Sequence, residues 1–268
     1  MTLRLFLTKI ILVNKMCFEF YCDKENIRVL EETHSTNNVA REWAKNGACE
    51  YSCVLAHRQT GGRGRLGRRF FSYDGGVYMS VILRPQIEPQ ESLLITVAAA
   101  VAAAEVIESI SGRKSLIKWV NDIYIDGKKV CGILTEGNIE DGKLQFAILG
   151  IGVNILSPKD GFPSELSAIA GSVFEKETGD NEKSKFISLF LEKFKGYYEK
   201  LAKKEYLDSY RKRNLLIGQE ITYEQEGKTK VGKVTGIDDN ASLVVEYEGK
   251  QTAISSGEVQ IKSFKREK

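Results

Sequence analysis

The hydrophobic pattern changes period several times along the chain, and each change marks an element. Val77, Met79, Val81 and Leu83 alternate with Tyr78, Ser80 and Ile82, which predicts a strand over Val77–Arg84. Shorter runs predict strands at Ile27–Glu32 and Ser52–Arg58. Between them Val39, Ala40, Trp43 and Ala44 recur at helical spacing after Ser35-Thr36, and Gly47 ends the run. Ser92–Ser111 reads as a long Ala-rich helix with a stripe of Leu94, Val97, Ala98, Val101 and Ala102, suited to close packing on a sheet. Strands follow at Leu116–Val120, Ile123–Ile125, Lys128–Glu136 and Leu144–Ile155, with Asp126-Gly127 as a hairpin turn. Residues 157–183 are loop-rich, with one short helix expected near Leu166–Phe174. Phe186, Leu189, Phe190, Phe194, Tyr197 and Leu201 give Lys185–Lys203 a core-facing helical stripe, and Glu205–Arg213 extends it. From Leu215 the texture becomes short strands, Gln219–Tyr223, Lys230–Ile237, Ser242–Tyr247 and Gln251–Ser255, as in a small antiparallel barrel.

At 268 residues there is room for one large domain and one small one. The division expected is an extension over 1–25, a main domain over 26–214 and the small barrel over 215–268. The formal net charge of +3 is mildly basic and gives little support to nucleic-acid binding. Five Cys without a C-x-x-C pair, together with only two His, disfavour a zinc site and leave little scope for His-based nucleophilic catalysis. Free thiols in a reducing cytoplasm are the plain reading. Leu3–Val13 is apolar but interrupted by Arg4 and Lys9, too short to span a bilayer and without a small-residue cleavage site after it. An added helix or strand is expected there, or a true start at Met16.

The stretch richest in chemistry is Gly61–Arg69, G-G-R-G-R-L-G-R-R. Gly lets backbone N–H groups approach a ligand, and Arg offers a permanent charge in a planar fork that fits phosphate and carboxylate oxygens. The run lies between two predicted strands and does not repeat, which favours an anion-binding loop over a nucleic-acid tail. Ser35, Thr36 and Asn37 stand at a helix N-terminus, where they serve either as caps or as ligand donors. Lys129 and Gly132 lie on one predicted strand; Gly150-Ile151-Gly152 allows close backbone approach but lacks a third Gly for a dinucleotide fingerprint.

Ordered blocks from about Ile27 onward resemble biotin–protein ligases. They are Glu32–Asn38 with its Ser35-Thr36-Asn37 core, Gln59–Phe70, K-W-V-N-D at Lys118–Asp122, D-G-K-K-V-C-G-I-L at Asp126–Leu134, G-I-G-V-N at Gly150–Asn154, and S-G-E-V at Ser256–Val259. The resemblance implies a mixed central sheet with helices packed on one side, like class II aminoacyl-tRNA synthetases, plus a small SH3-like barrel. It implies ATP-dependent activation of biotin to biotinyl-5′-AMP, with Mg²⁺, and transfer to a Lys of a biotin carboxyl carrier protein domain. Biotin would be held by Ser35, Thr36, Asn37, Gln59, Arg63, Gly64, Arg65, Lys129, Gly132 and Gly150. The nucleotide would meet Arg63, Arg65, Arg68, Trp119, Asn121 and Asn154. Arg65 and Lys129 would be the catalytic pair, with Asp122 toward the metal.

Val120 stands where this family usually has Pro, and Phe70 where Trp is common. Regulatory members carry an N-terminal DNA-binding domain, for which fewer than thirty residues leave no room, so a ligase without DNA binding is expected. A biotin-responsive repressor and a lipoate or octanoate ligase are the alternatives. The acceptor is expected to be acidic, the enzyme cytoplasmic, and a homodimer is a family habit.

Overall fold

A computed structural model describes residues 26–176, 181–225, 227–257 and 259–261. The expectations for 1–25 lie outside the described residues.

Seven strands form the main sheet: β1 (Ile27–Thr33), β2 (Cys53–Gln59), β3 (Gly76–Leu83), β4 (Leu116–Lys118), β5 (Asp122–Ile125), β6 (Lys128–Glu140) and β7 (Lys143–Asn154). Their spatial order is β1-β2-β3-β7-β6-β5-β4. β1 and β2 run parallel and the other neighbours antiparallel, so the sheet is mixed. β3 is central and buried along its whole length. Its alternation resolves into two cores. Val77, Met79, Val81 and Leu83 face the larger one, and Ile82 faces a smaller one with Val54, Phe146 and Ile148.

Helix α1 (Thr36–Lys45) covers the smaller core with Ala40 and Ala44. The larger core is closed by α2 (Ser92–Ser111), α3 (Glu182–Tyr198) and α4 (Leu207–Arg213). Packing of helices on one side therefore holds for α2, α3 and α4, while α1 sits on the opposite face. α2 is long and apolar enough to cross a membrane, but thirteen of its twenty residues are buried in the protein. Its alanines let β6 come close, and Thr96 meets Thr135 at 2.7 Å. On α3 the rings of Phe186, Phe190 and Phe194 stack one turn apart, with centroids 5.7 and 5.8 Å apart.

The short helix expected near Leu166–Phe174 is not formed. Residues 164–169 are turns that start from the Pro163 carbonyl, which accepts from the N–H groups of Leu166 and Ser167. After them the chain is extended and laid on the sheet: Lys129 N–H donates to Ile169 O, and Gly171 N–H donates to Lys129 O. Backbone groups that a helix would pair internally are here paired with β6, and that competition decides the conformation.

The second sheet is five-stranded and antiparallel, in the order β11-β10-β9-β8-β12. Its strands are β8 (Glu220–Gln225), β9 (Lys228–Ile237), β10 (Leu243–Tyr247), β11 (Lys250–Ile254) and β12 (Val259–Ile261). Trp119 Nε1 donates to Ala241 O at 2.9 Å, and Arg211 Nε donates to Ile237 O at 3.0 Å, so the small sheet is pinned against the large one. Part of the basic run Arg211–Arg213 is thus used internally: Arg211 meets Asp239 and Arg213 meets Glu108.

Candidate functional site

A cavity of about 510 Å³ opens on the α1 face of the sheet, a volume suited to a small organic ligand. Every residue assigned to the site from sequence lines it: Ser35, Thr36, Asn37, Gln59, Arg63, Gly64, Arg65, Arg68, Trp119, Asn121, Asp122, Lys129, Gly132, Gly150 and Asn154. The sheet order brings them together: β7, β6 and β5 are neighbours that present residues to this cavity, and Gln59 joins them from the end of β2.

At one end of the cavity α1 begins. Ser35 is its N-cap residue, yet its side chain makes no capping hydrogen bond. The cap comes from β2 instead: Gln59 Oε1 accepts from Thr36 N–H at 2.8 Å and from the Thr36 hydroxyl at 3.1 Å. Capping therefore does not account for Ser35. Asn37 is spent differently. Its Oδ1 accepts from the Ser80 hydroxyl at 2.6 Å, and its Nδ2 donates to Glu136 Oε2 at 2.7 Å. Gly150 lies directly beneath: a Cβ there would collide with Asn37 Oδ1. A Cβ on Gly152 would come within 2.6 Å of the Phe70 ring, and one on Gly132 within 3.1 Å. These glycines make room for Asn37 and Phe70 themselves.

The Gly/Arg loop forms a narrow flap across the cavity. Phe70 N–H donates to Gly62 O at 2.9 Å, Gly64 N–H donates to Arg68 O at 2.7 Å, and Arg63 bridges to Arg69. A single 3₁₀ turn at Arg65–Gly67 closes the tip, where Leu66 and Gly67 take φ values of 55° and 73°. Gly67 adopts this left-handed conformation without strain. Arg63 donates to Asn38 Oδ1 at 2.6 Å and lies 3.3 Å from Glu136 Oε2. Arg65 reaches the other way, to Asn121 Oδ1 at 3.5 Å and Gly257 O at 3.3 Å, with its guanidinium 5.9 Å from the Trp119 ring. The flap thus touches α1 at one end and the small sheet's domain at the other.

Among the described residues, six cationic side chains line the cavity, Arg63, Arg65, Arg68, Arg69, Lys118 and Lys129, against the one carboxylate of Asp122. Such a lining favours a ligand with several negative oxygens. Lys129 and Asp122 are themselves paired at 2.7 Å. Burial first, and the Asp122 charge second, push the Tyr124 phenol up to about 12, so it stays protonated at neutral pH. Burial likewise holds the Cys131 thiol far above its usual range, which removes it as a nucleophile. Among the described residues no group of three or more His, Cys, Asp or Glu is arranged to hold a metal ion.

Asn121 and Asn154 line the cavity and also brace it. Asn121 Nδ2 donates to Ile133 O at 2.8 Å, and Asn154 Nδ2 donates to Gly171 O at 2.9 Å. Sequence reasoning missed Ser80, Glu136 and Gly257. Glu136 was accessible in principle: it lies two and four residues beyond Leu134 and Gly132, and period two puts it on the same face of β6.

Residues 28–154 match the model of the biotin/lipoate A/B protein ligase family, and residues 216–262 that of the biotin protein ligase C terminal domain. The chain is 36% identical over 234 residues to the bifunctional ligase/repressor BirA of Bacillus subtilis, covering 85% of this chain and 71% of that protein. It is 28% identical over 237 residues to the biotin–[acetyl-CoA-carboxylase] ligase of Paracoccus denitrificans, covering 86% and 98%. Among solved structures it is similar to the biotin protein ligase from Aquifex aeolicus in complex with biotin and ATP, with a TM-score of 0.72, 29% identity, and 88% and 98% of the two chains covered.

Proposed function

This chain belongs to the biotin protein ligase family, and on that premise we propose how its cavity performs the reaction. It activates biotin with ATP and transfers it to a carrier protein, the biotin carrier of acetyl-CoA carboxylase. The observation that carries the residue assignment is the lining: the four flap arginines and two lysines against, among the described residues, one carboxylate.

A biotin carboxylate oxygen attacks the α-phosphorus of ATP. The bond to the bridging oxygen breaks, pyrophosphate leaves, and biotinyl-5′-AMP remains. Attack requires two anions to approach, and charge builds on the phosphoryl oxygens. Lys129 from β6 and Arg65 from the flap supply fixed positive charge on both sides of that centre, so no protein nucleophile is needed. Ser35, Thr36 and Gln59 offer donors and acceptors for the ureido ring at the α1 end. Asn37 is placed beside them through Ser80 and Glu136. Arg68, Trp119, Asn121 and Asn154 lie toward the nucleotide.

Among the described lining residues Asp122 is the carboxylate that would hold a Mg²⁺ ion entering with ATP, a cation that commonly takes one or two carboxylates beside substrate phosphates. Bound there, Mg²⁺ would add neutralising charge to the phosphates. The adenylate is a mixed anhydride, and the flap keeps water from it. An incoming lysine amine then attacks the acyl carbon, AMP leaves, and an amide forms. The basic lining suits an acidic face on the carrier.

The decisive experiment incubates the purified chain with biotin, α-labelled ATP and Mg²⁺. Pyrophosphate release with a retained biotinyl adenylate is expected. Reaction with lipoate or octanoate in place of biotin, and none with biotin, would overturn the assignment.

A further inference from the structure

Glu136 is on the same face of β6 as Gly132 and Leu134, and it contacts two residues that line the cavity, Asn37 and Arg63. Its two oxygens are divided. Oε1 pairs with Arg41 of α1 at 3.0 Å. Oε2 accepts from Asn37 Nδ2 at 2.7 Å and lies 3.3 Å from Arg63 of the flap. Asn37 in turn accepts from Ser80 on β3. One carboxylate on β6 therefore touches α1, the flap and, through Asn37, the middle of the sheet.

From this geometry we infer that Glu136 is a positioning residue that couples the biotin end of the cavity to closure of the flap. The inference rests on the ligase reading above. Two physical requirements are met at this one side chain. The flap carries four arginines, which repel one another when it lies flat; Glu136 provides the fixed counter-charge at the α1 end, while Gly257 O receives Arg65 at the other end. Asn37 could present its amide either way round; donation to Glu136 and acceptance from Ser80 fix which end is which. Gly150 leaves the space in which that amide lies. A ligand that orders Asn37 is thereby linked to the anchor of Arg63, and the flap in turn holds Asn37 in place.

Glu136→Gln keeps the shape and removes the charge. It is expected to shorten the half-life of enzyme-retained biotinyl adenylate about ten-fold, and to weaken biotin binding measured alone by calorimetry by a similar factor. Combining it with Arg63→Ala is expected to add little to retention beyond Arg63→Ala alone, because the two act through one contact. Arg41→Ala breaks only the Oε1 pair and leaves the Oε2 contacts to Asn37 and Arg63 in place, so it is expected to leave retention within about two-fold of the native chain. Glu136→Asp keeps the charge but shortens its reach; it is expected to shift retention in the same direction, and it serves if the Gln variant is too unstable to assay. Native-like retention and biotin binding in both Glu136 variants, or effects of Glu136 and Arg63 that multiply independently, would overturn the inference. Failure of the native chain to form any adenylate would instead overturn the ligase reading.

Discussion

Lys129 Nζ lies 2.7 Å from Asp122 Oδ1, across the ladder that joins β6 to β5. The cation that the proposed mechanism sets beside the phosphate is thus held in place by the carboxylate of Asp122. Lys129→Ala is expected to lower the rate of pyrophosphate release by about 100-fold or more, because a preorganised charge aimed at the developing phosphoryl charge is lost. The melting temperature should barely move, since both side chains are partly exposed and such pairs add little stability. A variant that keeps native turnover would remove Lys129 from the mechanism.

Arg65 ties the flap tip to Asn121 and to Gly257. Arg65→Gly cuts both ties. Free adenylate is then expected to leak and acylate lysines on bystander proteins. Mass spectrometry of a mixture of carrier and an unrelated protein reads this directly; labelling confined to the carrier would show that the flap is not a lid.

The glycines of β6 and β7 differ in what an added methyl group meets. At Gly150 it strikes Asn37 Oδ1, which Ser80 holds; at Gly132 it meets the Phe70 ring and the flexible end of Lys129 at 3.1 Å or more. Gly150→Ala should therefore weaken biotin binding by at least about ten-fold, with a stability loss of about 1–3 kcal/mol from overpacking. Gly132→Ala should be milder in both. Calorimetric titration with biotin and thermal melts of the two variants test the ranking.

Trp119 is buried and donates to Ala241 O. Trp119→Phe leaves that carbonyl without its partner at a cost of about 1–3 kcal/mol. Amide hydrogen exchange should rise across 238–243 more than in β3. Uniform change across the protein would mean that this bond does not pin the small sheet.

Acid should loosen α2 from α3 and α4 early. Burial alone would raise Glu105, but hydrogen bonds from Lys193, Tyr197 and Ser209 outweigh it and the net shift is downward. Burial would also raise Glu108, and Ser115 and Arg213 bring it down. A folded pKa below the unfolded value contributes stability above the ordinary carboxylate range, lost as pH falls through the folded pKa. Unfolding midpoints measured from pH 6 to pH 3 should fall, and Glu105→Gln should flatten that fall.

Local information was enough for much of this. The alternation at β3, the alanine stripe of α2 and the phenylalanine stripe of α3 are periodic signals that depend on near neighbours, and they matched the observed elements. The Gly/Arg run and the ordered blocks pointed to the same cavity, because the chemistry of an anion site is visible in residue type. The turn at 164–169 and the extended segment after it were not legible, since Ile169 O and Gly171 N–H pair with Lys129 on a distant strand. Nor was the link from Asn37 to Glu136, 99 residues apart, or from Arg65 to Gly257, 192 apart. Periodicity specifies which face a side chain occupies. Only the strand order β3-β7-β6 and the docking of the second sheet decide which other side chain it meets there.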